Sequence, residues 1–126
     1  MSFSHLATGL QHIGVPTNDI QKTLSFYESL GFENVHQKDN NGETVAFLKL
    51  GDLVIETYQN GKAVGQAGAV DHIALNVTDV DEARGIADKM GLEVIEAGQL
   101  PFWKNGVKYF TILGPNREKI EFNQYL

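Results

Sequence analysis

The segment VDHIALNV, residues 70–77, alternates like a half-buried strand, with Ile73, Leu75 and Val77 on one side and His72, Ala74 and Asn76 on the other. LQHIGVPT, residues 10–17, repeats the arrangement: Ile13 and Val15 oppose His12 and Gly14. HIGVPTND from His12 aligns with HIALNVTD from His72 at an offset of 60 residues, which also matches Asp19 to Asp79 and Gly31 to Gly91. Further on, LVIET (53–57) corresponds to EKIEF (118–122), pairing Glu56 with Glu121 at an offset of 65. An ordered series of this kind marks a duplication. The extra residues of the second half fall in AGQLPFWKNGVKYF (97–110), which is rich in turn formers and aromatics.

Each half reads as β-α-β-β-β. The first strand spans about 10–16. The helix after it carries Ile20, Leu24 and Tyr27 on one stripe, with Asn18 and Gln21 resembling a capping box and Gly31 suited to the C′ position. The second helix covers about 79–90, with Val80, Ala83, Ala87 and Met90 in line and Gly91 beyond. Strands are expected at 33–38, 44–50 and 53–59, and again at 92–97, 107–113 and 118–124. NGKAVGQAG (60–68) is glycine-rich and polar and reads as the linker. The fold class is α+β: one domain over residues 1–126, with module 1 at about 10–59, a linker at 60–69 and module 2 at about 70–124.

A chain of 126 residues suits one compact domain or two small modules. It has no cysteine, which excludes disulfide scaffolds, thiolate metal sites and cysteine nucleophiles. A formal net charge of −6 and thinly spread Lys and Arg offer no basic stripe for a nucleic acid. No apolar run approaches the roughly 20 residues of a membrane span. MSFSHLATG has neither the basic region nor the apolar stretch of a signal peptide, so the expected compartment is the cytoplasm. Small molecules and a second copy of the chain are the expected partners.

Parity assigns the polar residues to a common face. Leu53 and Ile55 oppose Glu56, and Ile120 and Phe122 oppose Glu121, while the apolar side of each strand seats the helices. The other face gathers His12, Glu56, His72 and Glu121, with small Gly14 and Ala74 beside the histidines. Taken singly, each of the four is an ordinary polar strand residue. Their repetition at matching positions points instead to a metal site, since two imidazole nitrogens and two carboxylates suit a divalent ion of the Zn, Ni, Co, Mn or Fe group. The same parity puts Tyr58, Asn76, Lys119 and Asn123 on that face as pocket lining. LPFWKNGVKYF suggests a rim in which Phe102 and Trp103 cover the pocket; the plainer reading is a hairpin packing on the sheet or a partner. His5 and His36 have no counterparts at matching positions and read as incidental.

The tandem βαβββ pattern, with His12, Glu56, His72 and Glu121 in that order, resembles the vicinal oxygen chelate superfamily. Within it the quartet is most similar to glyoxalase I, or lactoylglutathione lyase. HIGVPTNDIQKTLSFYESLGF and FTILGPNREKIEFNQ carry the local likeness, which spans about 10–124. The resemblance implies a cupped, eight-stranded mixed sheet around one divalent ion, nickel, cobalt or zinc first and manganese or iron next, with helices on the outer face. It also implies a homodimer.

The activity implied is a lyase of the glyoxalase I type. It converts the hemithioacetal of a 2-oxoaldehyde such as methylglyoxal with a thiol into a 2-hydroxyacyl thioester, through an enediolate. Glu121 is then the base and Glu56 its counterpart for the opposite face. Arg84 falls on a helix and Arg117 in a turn, giving no pattern for glutathione. Rival readings are a methylmalonyl-CoA-type epimerase, which usually carries glutamine at the Glu56 position, and ring-cleaving dioxygenases or fosfomycin thiol transferases, which use three ligands. A non-catalytic drug-binding protein of the bleomycin-resistance kind typically lacks the quartet.

Overall fold

The computed structural model describes Ser2 and residues 4–126. The element order is β1 (Ile13–Thr17), α1 (Ile20–Ser29), β2 (Glu33–Asn40), β3 (Glu43–Leu50), β4 (Leu53–Gln59), β5 (His72–Asn76), α2 (Val80–Lys89), β6 (Val94–Leu100), β7 (Val107–Leu113) and β8 (Lys119–Tyr125). The chain divides into two compact units, the first ending at Ala63 and the second running Val64–Leu126, so the boundary falls inside the expected linker. The eight strands form two four-stranded mixed sheets of the same plan, β1-β4-β3-β2 and β5-β8-β7-β6. In each, the first strand lies parallel to the last, and the other pairings are antiparallel.

The helices form for the reasons the periodicity gives. Ile20, Leu24 and Tyr27 are buried in the first unit together with Ala46, Leu48 and Ile55 from the sheet. Val80 and Ala87 are buried in the second with Phe110, Ile112 and Ile120. Met90, the C-cap, keeps helical dihedrals but is 39 % exposed, so the expected stripe is buried only as far as Ala87. Burial of a large apolar side chain of this kind is worth about 1.5–3 kcal/mol.

Both helices end in the same backbone motif. Phe32 N–H donates to the Tyr27 carbonyl and Gly31 N–H to that of Glu28, and Leu92 and Gly91 do likewise to Ala87 and Asp88. The turn requires a left-handed residue, supplied by Gly31 at φ +106° and Gly91 at φ +68°.

The N-terminus of α1 corrects the expected cap. Asp19, not Asn18, is the N-cap: its carboxylate accepts from Lys22 N–H at 3.1 Å, as Asp79 accepts from Glu82 N–H at 3.0 Å. Asn18 instead ties the chain after β4, accepting from Ala63 N–H at 3.0 Å and donating to its carbonyl at 3.3 Å. A further repeated feature docks each helix on its sheet. Gln59 Oε1 accepts from Ile20 N–H at 2.8 Å, and Gln124 Oε1 from Val80 N–H at 2.9 Å.

Candidate functional site

Parallel pairing of the first and last strand of each sheet places a histidine beside a glutamate. Gly14 pairs with Glu56 and Ala74 with Glu121, and each histidine stands two residues before the small residue. His12 Nε2 lies 3.8 Å from Glu56 Oε1, and His72 Nε2 lies 3.9 Å from Glu121 Oε2. The other ring nitrogen is fastened in both: His12 Nδ1 is 3.0 Å from Gln11 Oε1, and His72 Nδ1 is 3.0 Å from Asp71 Oδ2. An ionised carboxylate and an amide oxygen only accept, so in each ring Nδ1 is a donor, and Nε2 is the nitrogen turned toward the glutamate.

An imidazole nitrogen beside a carboxylate is a donor set of the kind that divalent ions take. With bonds of about 2.1 Å, a tetrahedral ion holds adjacent donors about 3.4 Å apart, so each pair would close by about half an ångström to share one. The residue fastening Nδ1 is the outer partner that metal-ligating histidines commonly have. Among the described residues, no three His, Asp or Glu side chains form a group able to hold a metal ion. What the structure brings together is His12 with Glu56 in the first unit and His72 with Glu121 in the second.

The two sites differ in what lines them. Across the first sheet, Gly14, Glu56, Phe47 and His36 occupy one row of paired residues. Across the second, the same row is Ala74, Glu121, Thr111 and Glu96. His36 therefore has a positional counterpart in Glu96, both just past a bulge in the second strand of their module. The first unit presents rings: Phe47 meets His12 and His36, each at 5.9 Å between centroids, and Tyr58 packs over Gly14, where a Cβ would come within 3.4 Å of its hydroxyl.

The second unit presents polar groups around a cavity of about 250 Å³, lined among others by Asp71, His72, Glu96, Tyr109, Lys119 and Glu121. Lys119 Nζ pairs with Asp71 Oδ1 at 3.0 Å. The His72 hydrogen bond, then that of Lys119, holds the Asp71 carboxyl below the usual carboxylate range. Tyr109, only 8 % exposed, donates its hydroxyl to Glu96 at 2.6 Å. That bond, with burial and the charges of Glu96 and Glu121, pushes its phenol pKa up. Glu121 is the most enclosed member of the quartet, its side chain 13 % exposed against 29 % for Glu56.

Of the expected lining residues, Lys119 joins this cavity and Asn123 donates to Glu121 Oε2 at 3.3 Å. Asn76 closes β5 opposite Asn123. Phe102 and Trp103 stand elsewhere, 55 % and 75 % exposed on the β6–β7 loop. Trp103 meets Tyr125 edge-on and lines a separate hollow with Lys104 and Leu126. Sequence reasoning missed Glu96, Tyr109 and Asp71. The sixty-residue offset from His36, carried through the bulge, finds Glu96.

The model of the family described as Glyoxalase/Bleomycin resistance protein/Dioxygenase superfamily matches residues 9–122. An uncharacterized protein of Bacillus subtilis (strain 168), YwbC, is 30% identical over 126 residues, covering 94% of this chain and 99% of its own. Among solved structures, a lactoylglutathione lyase from Agrobacterium tumefaciens superposes with a TM-score of 0.73 at 18% identity, covering 94% of this chain and 95% of that one. An antibiotic binding protein, TnmS3, from Streptomyces sp. CB03234 superposes at 0.78 and 20% identity, covering 96% and 98%. At such identities the two structures speak for the fold alone. Among the described residues, no helix is long and apolar enough to cross a membrane.

Proposed function

Because the chain belongs to the Glyoxalase/Bleomycin resistance protein/Dioxygenase superfamily, we propose that it is a metal-dependent lyase of the glyoxalase I type. Its substrate is the hemithioacetal of a 2-oxoaldehyde and a thiol. The observation that carries this reading is the duplicated pair: His12 with Glu56, and His72 with Glu121, at matching register and nearly equal spacing. His12, Glu56, His72 and Glu121 are the ligand set for one divalent ion, nickel, cobalt or zinc. When bound, the ion supplies a Lewis acid that makes the substrate C–H acidic. A homodimer is the assembly that goes with this reading.

The chain's own groups do the remaining work. Glu121 is the base: its carboxylate takes the proton from the hemithioacetal carbon and returns it to the neighbouring carbon, giving the 2-hydroxyacyl thioester. Its enclosure keeps water from competing for that proton, and Asn123 holds its Oε2. Glu56 is its counterpart on the opposite face of the substrate. Gln11 and Asp71 hold the rings through Nδ1 and so orient Nε2 toward the glutamates.

The test is direct. Purified protein is loaded with nickel, cobalt or zinc, and thioester formation from methylglyoxal is followed with several thiols. Thioester formation with at least one thiol is the expected result. Metal uptake without turnover would move the assignment to an epimerase, and no uptake would move it to a small-molecule binder.

A further inference from the structure

We propose that the second unit's cavity recognises a cationic tail on the substrate, an ammonium group held by Glu96, and disfavours thiols that carry carboxylates or phosphates. This rests on the metal-site reading above and names the class of thiol that the site would accept. Lys119 is engaged with Asp71 at 3.0 Å, and Asp71 in turn with His72, so the cation nearest the ligands is already neutralised. The Tyr109 hydroxyl proton is spent on Glu96 Oε1 at 2.6 Å. Glu121 belongs to the metal quartet.

Among the described residues, Glu96 is exposed and forms no ion pair, and Tyr109 meets only one of its carboxylate oxygens, which leaves the other open to solvent or a ligand. The cavity thus offers a ligand an anionic acceptor with Tyr109 fixing its orientation. Beyond the ion that the quartet would hold, and whose charge its two carboxylates would balance, the cavity lining has no unpaired cationic side chain to meet an anion. A carboxylate or phosphate entering it would face Glu96 unpaired, and like charges brought together raise the energy of both. An ammonium finds a charge partner and an acceptor at one atom. At about 250 Å³ the cavity is also below the roughly 300–1,000 Å³ of pockets that hold drug-sized ligands, which favours a short tail. The matching position of the first unit is His36 beside Phe47, so the preference belongs to the second unit.

Binding can be read without turnover. Three hydroxamic acids of matched length chelate a metal through two adjacent oxygens and differ only at the far end. 3-Aminopropanohydroxamic acid carries an ammonium, butanohydroxamic acid a methyl, and succinic monohydroxamic acid a carboxylate. Each is titrated by calorimetry into nickel-loaded protein and into the Glu96→Gln variant. The ammonium compound is expected to bind about five-fold tighter than the methyl compound, and the carboxylate compound weaker still, as for a partly exposed ion pair. In Glu96→Gln the methyl compound should still bind, marking an intact site, while the ammonium advantage disappears. Equal binding of all three, a preference for the carboxylate, or an ammonium preference that survives Glu96→Gln would overturn the inference while leaving the metal reading in place. Failure of all three to bind would overturn the metal reading, and this one with it.

Discussion

Glu121 Oε2 lies 3.9 Å from His72 Nε2 on the neighbouring parallel strand, and Glu56 repeats the relationship with His12 at 3.8 Å. Two donors per unit give weak affinity alone, whereas four around one ion give a stable site. If the quartet shares one ion, loaded protein should contain one divalent ion per chain, and His12→Ala and His72→Ala should each lose essentially all of it. Elemental analysis after gel filtration checks this. Two ions per chain, with half lost in each variant, would mean that the pairs act separately.

Asp71 fastens His72 through Nδ1, where Gln11 fastens His12. A carboxylate in this position raises the basicity of the imidazole more than an amide does, and losing such a partner typically costs 10–100-fold in metal affinity. Asp71→Asn should therefore weaken metal binding by about ten-fold or more, and Gln11→Ala by less. Competition with a chromophoric chelator measures both. Circular dichroism should stay at the wild-type value, because Asp71 is exposed and outside the strands.

Replacing Glu121 by Gln keeps size and hydrogen bonding but removes the base. Turnover should fall by at least about a hundred-fold, in the range that positioned general bases contribute, while the thermal midpoint moves little. Glu56→Gln should lose less activity if Glu121 carries the proton. Steady-state kinetics of both variants with bound metal quantified in parallel separates loss of the base from loss of the ion. Full activity in Glu121→Gln would remove this residue from the chemistry.

The sheets and helices were legible because local patterning and tertiary packing agree. Ile13 and Ile55 face away from Gly14 and Glu56 as parity requires, and Tyr27, Ile55 and Ile120 are fully buried where period 3.6 or 2 placed them. Asn18 and Asp19 are both good caps by type; the choice fell to Asp19, whose counterpart Asp79 caps α2, while Asn18 found Ala63 forty-five residues away. Glu96 was hidden by the bulge between Val94 and Glu96, which breaks the two-residue period. Tyr109 reads as core, and it is; nothing local reveals that its hydroxyl meets a glutamate thirteen residues earlier. Phe102 and Trp103 lie on a loop, where parity has no meaning, and Trp103 adopts the left-handed region at φ +64°.

Tyr109 predicts a pH dependence. Its phenol is raised above the ordinary value of 10.0, first by the hydrogen bond to Glu96 and then by burial. The fold therefore favours the protonated form: the stabilisation is complete below the unfolded-state value near 10 and is lost as pH rises through the raised one. In Glu96→Gln the Tyr109 pKa should move back toward the ordinary value, because a neutral amide no longer penalises the phenolate. Carbon-13 NMR of the Tyr109 ring across pH 8–12 follows the titration. An unchanged pKa in the variant would deny Glu96 its part in it.

The repeated caps give a test of the fold free of any assumption about the site. Asp19 and Asp79 each accept one backbone N–H of the first helical turn, a bond worth about 1 kcal/mol when Asp is replaced by Ala. Asp79 heads a helix whose first turn already holds Asp81 and Glu82, whereas α1 has no acidic residue there. In α2 those acidic neighbours still interact favourably with the exposed N–H groups after Asp79→Ala; in α1 no acidic neighbour does after Asp19→Ala. Asp19→Ala should therefore be the more destabilising by a few tenths of a kcal/mol. Asn18→Ala should leave α1 intact and loosen only the Ala63 segment. Urea unfolding of the three variants orders them, and a larger loss for Asn18→Ala than for Asp19→Ala would return the cap to Asn18.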